Sequence, residues 1–139
     1  MTKDDIIKDL EQNVYCRIKK SPIEGVGVFA IKKIPKGTDP FAGYLDVRTI
    51  SVPTGEILDN KNIPDAVKEL VKSFYVFKDG KIECPAHSFN EINIGYFMNQ
   101  SGTPNTDAKS ADGEVTFIAN RDIETGEELT SDYATFSDL

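Results

Sequence analysis

The spacing of turn signals restricts the fold of this chain most. Asp79-Gly80 stands between Phe74-Tyr75-Val76-Phe77 and Lys81-Ile82-Glu83-Cys84. Both turn residues tolerate positive φ, so the pair predicts a two-residue hairpin. Asp112-Gly113 repeats the signal ahead of Glu114 to Ala119, where Val115, Phe117 and Ala119 alternate with other partners. Tyr15 to Ile18, Gly27 to Ala30 and Phe41 to Ile50 are further apolar stretches, each punctuated by glycine or proline. Two helices interrupt the strands. Thr2 and Asp5 match a capping box, after which Ile6, Ile7 and Leu10 share one face. Pro64 suits a first helical position and Asp65 the positive end of the dipole. Val67, Leu70, Val71 and Phe74 then follow helical spacing. The pattern predicts an α+β domain, mostly β, built of small sheets.

The chain has 139 residues, the size of one compact domain, residues 1–139. A core of that size needs neither disulfide nor metal to hold it. Cys16 and Cys84 are too few for a disulfide framework or a thiolate zinc site, so no metal is expected. No apolar run reaches the roughly 18 residues of a membrane span, and the first residues lead into no secretory core. The expectation is an intracellular protein without a membrane partner, in the cytoplasm or, for a viral protein or an effector, in a host nucleus. With 23 acidic against 16 basic residues the net charge is −7. That sign argues against direct nucleic-acid binding and favours cationic partners such as a lysine-rich tail.

Three local features invite a chemical reading. Cys84-Pro85-Ala86-His87 holds the only histidine, but nothing at a recognisable spacing adds further ligands or an orienting group, so it reads as a loop after a strand. Gly25-Val26-Gly27 allows close backbone approach but lacks the third glycine and following helix of a dinucleotide site. An internal echo is the third. Residues 30–37 and 119–126 share alanine, a basic residue, isoleucine and glycine at the same offsets. Each copy predicts a strand leaving the core, one inward isoleucine and a glycine turn.

The last third is denser in polar groups. Asn93 to Asn105 packs amides around an aromatic pair, and Glu127-Glu128-Leu129-Thr130-Ser131-Asp132-Tyr133 follows near the C-terminus. In this order, with Gly25-Val26-Gly27-Val28-Phe29-Ala30 first and Phe41-Ala42-Gly43 resembling a tyrosine-x-glycine strand, the chain resembles the SET domain of protein-lysine methyltransferases. The resemblance covers about residues 14–136, with residues 1–13 as an N-terminal helix. It implies several small curled sheets and a C-terminal segment threaded into a pseudoknot that brings Asn99-Gln100-Ser101 beside Tyr133. Small viral and bacterial members without a zinc-binding post-SET module are similar in length.

The same resemblance implies the chemistry. A methyl group would pass from S-adenosylmethionine to a lysine side-chain amine of a protein substrate. Tyr133 would be the catalytic residue. Glu24, Gly25, Val26, Gly27, Tyr96, Asn99, Gln100 and Tyr133 would meet the cofactor, and Phe41, Ser131 and Phe136 would line the lysine channel. Three positions depart from the family pattern: Gln100 replaces a histidine, Tyr96 an arginine and Ser131 an aromatic residue. With the chain ending six residues after Tyr133, one channel wall is expected from Phe136, from a second copy in a homodimer, or from the substrate. The rival expectation is a catalytically silent SET-like module that binds a basic peptide.

Overall fold

The structure, a computed structural model, describes residues 2–43, 49–86, 88–111 and 114–138. The Asp112-Gly113 turn, His87 and residues 44–48 lie outside them. In chain order the elements are α1 (Lys3–Gln12), β1 (Cys16–Lys20), β2 (Val26–Ala30), β3 (Thr49–Pro53), α2 (Thr54–Leu58), α3 (Asp65–Phe74), β4 (Val76–Lys78), β5 (Lys81–Pro85), β6 (Asn99–Gln100), β7 (Thr106–Ala111), β8 (Glu114–Ala119) and β9 (Glu128–Ser131). Short 3-10 turns span Ile94–Phe97 and Tyr133–Thr135.

Among the described residues the strands form three small sheets, ordered β1-β2-β9-β6, β3-β5-β4 and β7-β8. The Asp79-Gly80 hairpin forms as expected. Both residues take positive φ, 52° and 74°, and Lys78 faces Lys81 across the turn. β9 pairs antiparallel with β2 and parallel with β6, and the chain then runs on to donate from Asp138 N to Phe77 O of β4. The C-terminal segment is thus laid between earlier strands, the crossing that a pseudoknot requires. Leu129, fully buried, and Ser131, 1% exposed, hold it in the core.

The internal echo becomes a pair. Ile34 and Ile123 form an antiparallel bridge in which each N–H donates to the other's carbonyl at 2.8 Å. Gly37 N donates to Ala119 O and Gly126 N to Ala30 O, both at 2.8 Å. The two copies meet about a local two-fold, and both isoleucines are fully buried in a core with Val28, Ala30, Met98, Ala119 and Leu129. A second core gathers Val71, Tyr75, Phe77, Ile82 and Cys84 beneath α3.

Five expectations need correction or completion. Among the described residues there are three α-helices and not two, since α2 follows β3 directly. Pro64 is the N-cap of α3, one position earlier than a first helical residue, with extended ψ of 145°; its preset φ starts the helix from outside it. Of the expected α3 stripe, Val71 is buried and Phe74 packs on the second core, while Val67 and Leu70 stay exposed. Phe41-Ala42-Gly43 is a turn and not a strand. Asp39 Oδ1 accepts from Phe41 N at 2.8 Å, and Gly43 takes φ 95° where a Cβ would crowd Asp9 and Asn13 of the α1 end. The α1 capping box forms, but Ile6, Ile7 and Leu10 are 49%, 48% and 60% exposed.

Candidate functional site

β6 and β9 run side by side with Asn99 opposite Thr130 and Gln100 opposite Ser131. This pairing brings the two sequence segments together. Gln100 uses both ends of its amide: Oε1 accepts from Tyr133 N at 2.6 Å, and Nε2 donates to Asp132 Oδ1 at 3.1 Å. The glutamine in the histidine position therefore fixes where the chain leaves β9.

Asn99 points the other way, into the turn between β1 and β2. Its Nδ2 lies 3.2 Å from Glu24 O, 3.1 Å from Val26 O, 3.1 Å from Ser21 Oγ and 2.8 Å from Glu128 Oε2. Ser21 Oγ donates to the same carboxylate, at 2.7 Å from Oε1 and 2.9 Å from Oε2. Gly27 must be glycine for this cluster to exist, since a Cβ there would overlap Glu128 Oε2 and sit 3.0 Å from Asn99 Nδ2. Gly25 differs: at φ 48° its outer face meets nothing within 4 Å. The expected set Glu24, Gly25, Val26, Gly27, Asn99 and Gln100 is thereby gathered at one end of the first sheet.

Next to it lies a cavity of about 980 Å³ between the two cores. Phe41, Tyr96, Ser131, Tyr133 and Phe136 line it, while the Glu24–Gly27 turn, Asn99 and Gln100 do not. Tyr133 belongs to both neighbourhoods, through its backbone to Gln100 and through its ring to the cavity. Its hydroxyl donates to Met98 O at 2.5 Å. Burial raises its pKa, and the carboxylates of Glu24 and Glu128 raise it further, so it stays a protonated hydroxyl at neutral pH. Phe136 packs edge-on to Phe117 at 5.3 Å and to Tyr133 at 6.1 Å and forms part of the cavity lining. Tyr96 sits among the aromatic residues of the second core, 5.1 Å from Tyr75, and not with the Glu24–Gly27 turn.

Among the described residues, two buried hydroxyls in the cavity lining have no partner: Ser131 Oγ and Tyr75 Oη. A buried polar atom without a bond costs about 1–3 kcal/mol, so such groups mark places where a ligand or water completes the structure. Tyr75 is 4% exposed, wedged between Phe89 and Tyr96, and burial pushes its pKa up to about 12. Sequence reasoning missed Tyr75, because an aromatic at the base of a hairpin looks like any core residue. It also assigned no role to Ser21 or Glu128. A carboxylate two residues after Gly126 and a glycine at position 27 carry no visible link until the strands are placed.

The SET domain family profile matches residues 25–134. No curated protein matches the chain. Among solved structures, a Plasmodium falciparum protein named as a candidate histone methyltransferase superposes with a TM-score of 0.52 at 19% identity, over 86% of this chain and 93% of that one. That likeness is one of fold. The profile spans the Gly25-Val26-Gly27 turn, the Asn99 segment and Tyr133 together, and the chain belongs to the SET-domain family.

Proposed function

We propose that this protein is a methyltransferase that uses S-adenosylmethionine to methylate a lysine side chain of a protein. Tyr133 carries the reading, as the residue joining the Gln100 segment to an aromatic cavity. The residues present suit such a cofactor. The outer face of Gly25 leaves backbone open to close approach, and the carboxylates of Glu24 and Glu128 both act on the Tyr133 hydroxyl, where a positive sulfur is favoured. When bound, the cofactor supplies a methyl group on a cationic sulfur.

The chain's own groups do the remaining work. Tyr133 spends its proton on Met98 O, which leaves the hydroxyl oxygen as an acceptor toward an incoming amine or a polarised methyl. The rings of Phe41, Tyr96 and Phe136 make a wall that excludes water and disfavours a buried ammonium, lowering the lysine pKa from about 10.4. Tyr75 and Ser131 add two unpartnered hydroxyls that can hold polar atoms inside. The net charge of −7 draws cationic segments toward the molecule.

Tyr133→Phe tests the reading. It removes one hydroxyl and keeps the ring. Turnover on lysine-rich proteins should fall about a hundredfold, while the thermal shift given by S-adenosylmethionine persists. Equal turnover in the variant would show that Tyr133 only packs. If the parent binds a basic peptide but shows neither cofactor-induced shift nor transfer, the protein is a silent module.

A further inference from the structure

Glu128 is an anion with neutral company. Its two oxygens are met by Ser21 Oγ and Asn99 Nδ2. Among the described residues no lysine or arginine forms an ion pair with it. Arg17 and Lys19 of neighbouring β1 share the sheet face of Glu128 but form no ion pair with it. Phe29, not a cation, faces Glu128 across the β2–β9 register, and Lys19, opposite Gly27, holds its ammonium 5.4 Å above the Phe29 ring. The hydrogen bonds alone do not call for a carboxylate, because an amide oxygen could accept from the same serine and asparagine. What glutamate adds over glutamine is charge. Gly27 leaves the space that the end of the Glu128 side chain fills.

Resting on the methyltransferase reading, we propose that Glu128 is a specificity residue whose negative charge selects the cationic sulfonium cofactor over the product with a neutral sulfur. Its place supports this. Glu128 is tied to the Glu24 and Val26 carbonyls through Asn99, at the expected cofactor turn, and its charge is felt at the Tyr133 hydroxyl. S-Adenosylmethionine and S-adenosylhomocysteine share the adenosine and the amino-acid ends and differ in net charge by the sulfur. A fixed anion near the sulfur therefore favours the substrate and eases product departure after each transfer. An anion near the shared ammonium would treat both alike.

Glu128→Gln separates these cases, with both ligands titrated calorimetrically into the full chain. Affinity for S-adenosylmethionine should fall about tenfold and affinity for S-adenosylhomocysteine less than about twofold, with the difference shrinking at high salt. Ser21→Ala is the companion variant. It keeps the charge and loses a hydrogen bond, so the melting temperature should drop while the preference between the two ligands stays that of the parent. Parallel losses for both ligands in Glu128→Gln would overturn the proposal, as would a lost preference in Ser21→Ala. A parent chain that binds neither ligand would remove the methyltransferase reading, and with it this one. That result differs from a parent that binds both and a variant that discriminates no less.

Discussion

The side chain of Asn105 makes two hydrogen bonds of backbone type to β9. Nδ2 donates to Glu128 O at 2.8 Å, and Oδ1 accepts from Thr130 N at 2.9 Å. An amide fits both partners because it carries a donor and an acceptor on one plane. Asn105→Asp replaces the donor by an acceptor facing the Glu128 carbonyl, in a residue 4% exposed. The loss should be about 2–4 kcal/mol, read as a lower urea midpoint at unchanged slope. A midpoint equal to the parent's would mean that β9 needs no such splint. That amides of the Asn93–Asn105 segment serve buried backbone is readable from composition, and so is their proximity to Tyr133 once the family is recognised. Which amide serves which group is not, since Asn99, Gln100 and Asn105 have the same local chemistry and differ only in what the folded strands present to them. Tyr75 was hidden for the same reason: its orphan hydroxyl is a property of the cavity, and the sequence holds only its ring.

At the scale of elements, the repeated alanine–isoleucine–glycine pattern was visible because residue types recur at equal offsets. Its pairing was not, because the two copies lie at opposite ends of the chain and local pattern has no term for distant partners. The symmetry makes a prediction. Gly37 and Gly126 adopt φ of 88° and 91°, and each donates to the alanine that opens the other copy. Neither has a steric conflict around a Cβ, so the cost of alanine is backbone strain alone. Gly37→Ala and Gly126→Ala should each lose about 1–2 kcal/mol, and by similar amounts. Gly102→Ala, without positive φ or neighbours within 4 Å, should stay within about 0.5 kcal/mol of the parent. Unequal losses at the two paired glycines in chemical denaturation would break the symmetry argument. The α1 face shows the converse limit of pattern. Its spacing and capping box fixed a helix, but amphipathicity does not name a partner, and Ile6, Ile7 and Leu10 remain in solvent.

The whole molecule is held between two titrating populations. On the acid side, the Lys36 N–H with the Lys33 ammonium keeps Asp122, and Lys78 with the Asp79 N–H keeps Asp138, below the ordinary carboxylate range. Folded values below unfolded ones mean stability that is present above about pH 4 and lost as pH falls further. These groups are exposed and screened, so that limb should be shallow and sensitive to salt. The alkaline limb has a different cause. Burial pushes the Cys16 thiol and the Tyr75 hydroxyl up to about 12, and raises Cys84 and Tyr133 in the same direction. For an acid buried in its neutral form, stability is complete below the unfolded pKa and drains as pH climbs toward the folded one. Between about pH 8.5 and 12 the unfolded chain ionises its thiols and then its phenols while the folded chain still holds the Cys16 and Tyr75 protons, at up to about 1.4 kcal/mol per pH unit for each of these two buried groups. Urea unfolding in reductant should therefore show a plateau from about pH 5 to 8.5 and a steep fall above it. Cys16→Ala isolates the largest thiol contribution. It leaves a small void that lowers the plateau, yet the fall above pH 8.5 should become shallower, because one ionisable group has gone from the unfolded chain. A variant whose alkaline slope matches the parent's would show that Cys16 keeps an ordinary thiol pKa in the fold, and that its place beside Val28 and Leu129 is less dry than its 8% exposure implies.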